Sequence, residues 1–386
     1  MKKLIVILAV IAMVGAFTAT AMADVSLYGS ARFRTYYASV DSGVAGVDSD
    51  DDVEWRMGHL TRFGANFKAD KITGKFEMDA RAGGAFDSDT GLTVPGTGNI
   101  ESDSGASRLG NMRLRHLWGQ WDFGAGKLLI GQTWPLYELQ VSGLNYYSGG
   151  LQKFGGWGYA VNRTSQIRLT FGDFKVAFLS PDTAQESGSG TSATFEEINT
   201  SFPKIELGYA MKMDTFTLNF VGGYQTYEIE DKNGTKRTED ITSWVLGARA
   251  KANFGPAYAG LSLSYRQNGG NYGVWTVSTK ETAIFQGIDL KDATAFGLEA
   301  ALGYKVNDMF TVEGSYAMLN SEQDTSLNNE DDVMVWGVLA KITMAPGVYI
   351  IPEFIFQDNK DVVNNGVTTE QGDATIFGVF WRIDFK

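Results

Sequence analysis

Residues 113–160 read RLRHLWGQWDFGAGKLLIGQTWPLYELQVSGLNYYSGGLQKFGGWGYA. The stretch contains a basic segment, a tight glycine turn at Phe123-Gly124-Ala125-Gly126 and a returning apolar segment. About thirty residues without a clean period follow, and long loops in compact proteins are usually functional. The stretch therefore predicts two antiparallel strands followed by a functional loop over about 134–160.

The first 23 residues have the features of a secretory signal peptide. A charged start at Lys2-Lys3 precedes an apolar core over residues 4–17, and Ala21-Met22-Ala23 forms an A-x-A cleavage site. We expect Sec-type export and removal of residues 1–23, which leaves a mature chain over residues 24–386. Loss of the two lysines changes the formal net charge from −12 to −14. The alternative is a membrane anchor, for which the apolar core is short.

The composition of the chain indicates a β-protein. It has 46 Gly, 24 Phe, 16 Tyr and 9 Trp but only 7 Pro and 2 His, and strands favour aromatic residues. The chain has no cysteine, which excludes disulfides, thiol catalysis and cysteine-based metal sites, and we expect no cofactor. The mature chain has no apolar run of eighteen residues, so we predict no transmembrane helix. Its acidic balance disfavours nucleic acid as a partner.

Apolar and polar residues alternate with a period of two from Asp24 onward. In the first segment Leu27 and Phe33 fall on one face, whereas Arg32 and Arg34 fall on the other. Such alternation is typical of strands with one apolar face. The pattern returns in later segments along the chain and predicts an all-β fold.

Short and long joins alternate between these segments. The short joins lie near residues 70–71, 123–126, 172–173, 214–215, 254–256, 307–308 and 345–347. The long polar joins lie near residues 41–53, 84–108, 134–160, 181–202, 231–240, 268–292, 321–331 and 358–372. Seven short turns and eight long loops connect sixteen strands. This layout predicts a transmembrane antiparallel β-barrel of the outer-membrane type. In a closed barrel every strand has two neighbours, which supply the backbone hydrogen bonds that lipid cannot provide.

Two patches of sequence resemble the trimeric porins of Gram-negative outer membranes. Residues 120–135, QWDFGAGKLLIGQTWP, are similar to the porin pattern of a strand, an F-G-x-G turn and a returning strand that ends before the constriction loop. Residues 375–385, TIFGVFWRIDF, resemble the last porin strand, which normally finishes on an aromatic residue; here Lys386 follows Phe385. The resemblance covers the mature chain in layout, as a single barrel domain over residues 24–386.

The resemblance implies a homotrimer in outer-membrane lipid, with short periplasmic turns and long external loops. It implies passive diffusion of small hydrophilic solutes and ions rather than enzymatic activity. It also implies that the third long loop, about 134–160, bends into the barrel opposite a ladder of wall arginines. The wall candidates on inward-facing parity are Arg32, Arg34, Arg56, Arg62, Arg81, Arg113 and Arg115. The loop candidates are Trp134, Tyr137, Glu138, Tyr146 and Lys153. Each arginine could alternatively be an ordinary solvated lumen charge.

The predicted constriction loop departs from the P-E-F-G-G-D pattern of many porins. Residues 152–157 read Gln-Lys-Phe-Gly-Gly-Trp, so Lys153 stands where a glutamate would. Glu138 is the only acid in residues 134–160. Because local charge governs a narrow, low-dielectric passage, we expect the pore to prefer anions although the protein is acidic. The aromatic residues of the loop could form a sugar-stacking track, but we favour packing against the wall.

Two other functions compete with a channel. A structural or adhesive barrel would act through its long loops, but sixteen strands leave an aqueous lumen that small barrels lack. An enzyme would need a catalytic constellation, and GxSxG and HExxH motifs are absent. By the alternation of side chains, His59 and His116 fall on the same strand faces as neighbouring residues that are predicted to face lipid. The sequence therefore predicts that neither histidine points into the lumen. For the acidic loops over 41–53 and 321–331 we favour a role in solubility over divalent-cation bridging.

Overall fold

The structure is a computed structural model. It describes residues 24–41, 43, 50–57, 61–81, 111–147, 150–151, 154, 159–160, 163–181, 195–231, 237–275, 280–286 and 289–386. Only the backbone is described at residues 50, 80–81, 111, 159–160, 195–197, 230–231, 237 and 275. The predicted signal peptide, His59, Lys153 and Trp157 lie outside the described residues.

Sixteen antiparallel strands in the described part of the chain form one closed sheet. The strands are β1 (Asp24–Val40), β2 (Asp50–Met57 continued by Arg62–Ala69), β3 (Ile72–Arg81), β4 (Asn111–Asp122), β5 (Lys127–Thr133), β6 (Thr164–Phe171), β7 (Phe174–Leu179), β8 (Phe195–Asn199 continued by Lys204–Lys212), β9 (Phe216–Asp231), β10 (Arg237–Phe254), β11 (Ala257–Gln267), β12 (Ala293–Lys305), β13 (Phe310–Gln323), β14 (Glu330–Ala345), β15 (Val348–Asn359) and β16 (Asp373–Phe385). Each strand pairs with its sequence neighbours. The barrel closes where β1 pairs with β16, from Gly29 opposite Phe385 to Val40 opposite Ala374.

Short turns join the strands at one rim and long loops join them at the other. All seven predicted short turns are present, and the prediction of sixteen strands is confirmed. Gly172 and Gly347 adopt positive φ angles of 58° and 84° in two of these turns, a conformation that glycine tolerates without strain. The sequence therefore predicts the strand order well, because turn residues mark each reversal of the chain.

The long loops contain a few short elements of their own. A one-turn helix, α1, spans Gly269–Tyr272, and the two-residue strands Tyr159–Ala160 and Val274–Trp275 pair with each other. Two small hairpins pair Ile284–Gln286 with Asp289–Lys291 and Val362–Asn364 with Val367–Thr369. Among the described residues, no helix has the length and hydropathy needed to cross a bilayer.

The two faces of the barrel wall differ in composition as the alternation predicts. On β1, Leu27 points outward and is 69% exposed, whereas Arg34 and Tyr36 point inward and are buried. Large apolar side chains such as Trp55 and Leu302 are exposed on the outer face. The main hydrophobic cluster lies inside the barrel, where residues of the 134–163 loop pack against the inner wall. The structure thus has an apolar exterior and an interior that is partly filled by loops.

A β-bulge on β4 changes the direction of two side chains. Glu77 pairs with His116, but Met78 pairs with Leu114, so Arg115 is an extra residue in the ladder. Arg115 and His116 are both buried; Arg115 contacts Glu77 on the inner wall, and Nδ1 of His116 lies 3.0 Å from Thr133 Oγ1. The prediction that His116 faces lipid is therefore wrong, because strict alternation fails at a bulge.

Candidate functional site

The candidate site lies inside the barrel and is built by residues 134–146, here named the constriction segment. From Trp134 to Val141 the side chains of this segment alternate, although the backbone bends at Leu136, whose carbonyl accepts the Glu138 N–H at 2.8 Å. Tyr137 and Leu139 are buried against the wall, whereas Glu138 and Gln140 remain half-buried toward the lumen. The segment thus presents a polar edge to the lumen and an apolar edge to the wall.

Wall glutamates hold the backbone of the constriction segment. On β8, Glu206 Oε2 accepts hydrogen bonds from the backbone N–H of Leu136 at 2.5 Å and of Tyr137 at 3.1 Å. On β12, Glu299 accepts from Ser142 at 2.9 Å and from Val141 at 3.3 Å. Because the constriction segment pairs with no strand, carboxylates supply the acceptors that its buried N–H groups need.

Two further glutamates continue this row around the barrel. Glu313 on β13 accepts the Gly143 N–H at 2.6 Å and the Tyr258 hydroxyl at 2.6 Å. Glu353 on β15 accepts the backbone N–H groups of Asn145 at 2.8 Å and Tyr146 at 3.0 Å. All four glutamates are buried. Together Glu206, Glu299, Glu313 and Glu353 form what we name the glutamate row, which fixes the constriction segment to half of the barrel circumference.

Glycines on the inner wall provide the space that this close contact requires. A Cβ atom at Gly260 would lie 2.8 Å from Cβ of Val141, and one at Gly337 would lie 2.8 Å from Cδ1 of Leu144. Both distances are too short for carbon atoms, so a larger residue would push the segment away from the wall. The wall therefore has glycine at the positions where the constriction segment lies closest to it.

The far end of the loop is packed against β1 and β12–β16. Leu144, Tyr146, Tyr147, Leu151 and Phe154 belong to one hydrophobic cluster with residues of these strands. Arg34 Nη2 donates to the Tyr146 carbonyl at 2.7 Å and lies 3.0 Å from Glu54 Oε2. Tyr137, Tyr146 and Tyr147 are thus buried, as packing predicts, and these three rings do not form an exposed stacking track.

The inner wall of β2–β4 carries a network of charges outside this cluster. Arg115 binds Glu77 at 2.5 Å and Asp79 at 3.3 Å, and Arg113 binds Asp79 at 2.8 Å. The carboxylate of Glu77 also has Lys75 at 3.5 Å and Arg62 at 3.7 Å. Here four cations converge on two buried acids.

A second group of cations extends this wall onto β16. Arg382 binds Asp384 at 2.5 Å, and Arg32 lies opposite Arg382 in the strand register. Arg32 Nε donates to Ser30 Oγ at 3.0 Å. The cationic surface therefore continues across the closure of the barrel.

Glu138 extends from the constriction segment toward a different set of cations. Its charged neighbours are Arg249 and Lys251 on β10 and Arg163 near β6. Arg249 also donates to the Gln140 carbonyl at 3.3 Å. Burial raises the pKa of the Glu138 carboxyl, and the three cations oppose that rise.

Comparison with protein families decides the assignment. The profile of the family described as Gram-negative porin matches residues 8–361. The chain belongs to this family. As a porin it is an outer-membrane channel.

Solved structures of outer-membrane proteins share the fold of this chain. The outer membrane channel DcaP of Acinetobacter baumannii has a TM-score of 0.69 and 18% identity, covering 94% of this chain and 97% of that one. OmpT of Vibrio cholerae in its trimer form has a TM-score of 0.56 and 16% identity, covering 94% and 99%. The anion-selective porin from Comamonas acidovorans has a TM-score of 0.53 and 16% identity, covering 94% and 100%. No curated protein matches the chain.

The structure separates the predicted wall arginines of this porin into two groups. Arg34 and Arg115 are almost fully buried by their partners, whereas Arg62 and Arg113 retain about a third of their side-chain exposure. Arg32 is nearly buried beside Ser30, and Arg56 pairs with Glu54. The Arg81 side chain lies outside the described part of the protein.

Trp134, a predicted loop residue, lies at the start of the constriction segment. The guanidinium of Arg163 lies 3.9 Å from the centre of the Trp134 ring, and the His116 ring contacts its edge. Arg168 donates to the Trp134 carbonyl. Among the described residues, no group of three or more His, Cys, Asp or Glu side chains could hold a metal ion.

Proposed function

We propose that this porin allows passive diffusion of small hydrophilic solutes and ions and prefers anions. The observation that carries the proposal is that acidic and basic side chains of the inner wall differ in their exposure to the lumen. The acids of the glutamate row are covered by the constriction segment, whereas the wall that the segment leaves uncovered carries mainly cations.

Exposure of the wall charges supports this preference. Glu77 and Asp79 are 1% exposed, but the cations around them retain 28% exposure at Arg62, 27% at Lys75 and 39% at Arg113. A solute therefore meets guanidinium and ammonium groups before it meets carboxylates. Cationic rings are the usual device by which pores select anions.

The strongly acidic composition of the protein does not oppose this proposal. The formal net charge of −12 belongs to the whole chain, and salt screens charges beyond about 8 Å at physiological ionic strength. A solute in the narrow part of the lumen responds to the charges lining it. Glu138 is the acid of the constriction segment, and the positive charges of Arg249 and Lys251 act on its carboxylate.

Swelling of proteoliposomes tests this function. Vesicles that contain the purified porin are diluted into isotonic neutral, anionic or cationic sugars of nearly equal size. We expect rapid swelling with the neutral sugar and faster entry of the anionic than of the cationic sugar. A structural or adhesive barrel, the alternative function, predicts no swelling above protein-free vesicles. Faster entry of the cationic sugar would reject the anion preference and retain the channel.

We infer that the porin assembles as a homotrimer. The supporting observation is the shared fold with OmpT of Vibrio cholerae, which is described in a trimer form. Chemical cross-linking of native outer membranes, followed by denaturing electrophoresis, should yield a species of three chains. A single-chain species at every cross-linker concentration would contradict this assembly.

A further inference from the structure

We propose that the loop between β11 and β12 forms a second constriction, which limits the size of solutes on the external side. Its described residues 268–275 and 280–283, here named the vestibule segment, lie inside the barrel. Gly269, Asn271, Tyr272 and Glu281 are all buried. The proposal rests on the channel function of the family and is independent of the anion preference.

A buried ion pair fixes one end of the vestibule segment to the wall. Arg266 leaves the inner face of β11 and binds both carboxylate oxygens of Glu281, and the two side chains are 0% and 2% exposed. Arg266 Nη1 also donates to Ser264 Oγ at 3.1 Å. A buried ion pair with two parallel hydrogen bonds is favourable only when the two side chains hold a fixed geometry. The segment is therefore docked against the wall.

Polar side chains from three other strands hold the backbone of the vestibule segment. Lys204 Nζ on β8 donates to the Tyr272 carbonyl at 3.0 Å, and Gln225 on β9 donates to the Asn271 carbonyl at 3.0 Å. Gln323 on β13 donates to the Thr282 carbonyl at 2.8 Å. These side chains donate hydrogen bonds to backbone carbonyls that would bind water if the loop were exposed to solvent.

The vestibule segment also binds the constriction segment. Glu206 accepts the Tyr272 hydroxyl on Oε1 at 2.9 Å while its other oxygen accepts the backbone N–H of Leu136 and Tyr137. One carboxylate thus joins both segments. The backbone of Val274–Trp275 pairs with that of Tyr159–Ala160 in the loop that follows β5. The two inward loops therefore form one connected body inside the lumen.

Burial of the wall shows which part of the lumen this body occupies. Gln225, Ser243 and Val245 point inward from β9 and β10, yet each is at most 1% exposed. A Cβ atom at Gly223 on the same face would lie 2.1 Å from the Tyr272 hydroxyl. Because this side is filled, we infer that solutes pass beside the charged wall of β2–β7.

Replacement of the whole loop is the first test. The Asn268 N–H donates to the Ala293 carbonyl at 2.7 Å, so a two-residue turn can replace residues 269–292. We expect single-channel conductance to rise roughly 1.5-fold or more, since a larger lumen conducts more. We also expect larger neutral sugars to enter proteoliposomes. If the barrel assembles correctly but its conductance and its size limit for sugars are unchanged, the proposal is overturned. The test does not depend on whether the pore prefers anions or cations.

A pair of adjacent glycines provides a test that keeps the loop. Gly223→Val places a side chain under Tyr272, whereas Gly222→Val places the same side chain on the lipid face, where a Cβ would lie 3.4 Å from Leu246. We expect Gly223→Val to raise the conductance or its fluctuations, because Tyr272 loses its position. The control Gly222→Val should match the wild type. Identical current traces from the two valine variants would count against a second constriction, even if the loop replacement fails to assemble.

Discussion

Glu138 is the residue on which the pH dependence of the channel should turn. Burial raises its pKa, so it loses its negative charge at a higher pH than the ordinary glutamate value of about 4.3. Loss of that charge leaves Arg249 and Lys251 without an opposing carboxylate on the constriction segment. We therefore expect the ratio of chloride to potassium permeability to increase as the pH falls from about 7 toward about 5.

The variant Glu138→Gln separates this effect from the titration of other acids. It should raise the permeability ratio at neutral pH and remove most of the increase on acidification, as measured by zero-current potentials in planar bilayers. A ratio that decreases on acidification, or that increases equally in the wild type and in Glu138→Gln, would contradict the role assigned to Glu138.

The alternation of side chains in the sequence predicts that most charged residues of the wall point inward. It does not predict which residues they contact there. Arg32 and Arg62 lie on the inner face as their parity indicates. His116 does not follow its parity, because the bulge at Arg115 adds one residue to β4. Arg249 also has inward parity, but nothing in the local sequence shows that it faces Glu138. Contacts between a loop and a distant strand depend on the loop path, which has no periodic signal.

The glutamate row is the element that keeps the constriction segment in place. Glu353 accepts hydrogen bonds from four protein donors: the backbone N–H groups of Asn145 and Tyr146, the side-chain amide of Asn145 and the hydroxyl of Tyr36. Glu353→Gln replaces an acceptor oxygen by an amide donor that cannot satisfy them. An unsatisfied buried donor costs about 1–3 kcal/mol, so we expect the variant to unfold at lower guanidinium concentration in lipid vesicles and to show noisier single-channel currents.

Glu370→Gln is the matched control for this prediction, since Glu370 is exposed. It should leave both the unfolding midpoint and the current noise unchanged. Equal stability of the Glu353 and Glu370 variants would show that the row does not hold the segment.

The architecture of the strands is predictable from the sequence, whereas the course of the loops is predictable only in part. Turn residues such as Gly172-Asp173 fix the strand count. The inward course of the described residues within 134–160 is expected from the resemblance to porins. The glutamate row could not be predicted, because Glu206 and Glu353 are separated by most of the second half of the chain. For the vestibule segment the sequence predicts only that it belongs to one of eight external loops.

The whole molecule has an asymmetric lumen. The constriction segment, the residues that follow it and the vestibule segment cover the wall from β8 through β16 to β1, and the described wall of β2–β7 remains beside them with its cationic network. Acidic residues are abundant in the chain, but those of the glutamate row are covered. The proposed anion preference therefore rests on the charges of this one uncovered wall and not on the net charge of the chain.

The zero-current potential of the wild-type porin in a potassium chloride gradient tests this claim most directly. Anions that move down their gradient faster than cations charge the dilute side negatively, and we predict that sign. The double variant Arg62→Gln with Lys75→Gln should reduce the potential, whereas Lys305→Gln, at an exposed turn-side residue, should not. A dilute side that becomes positive in the wild type would contradict the account.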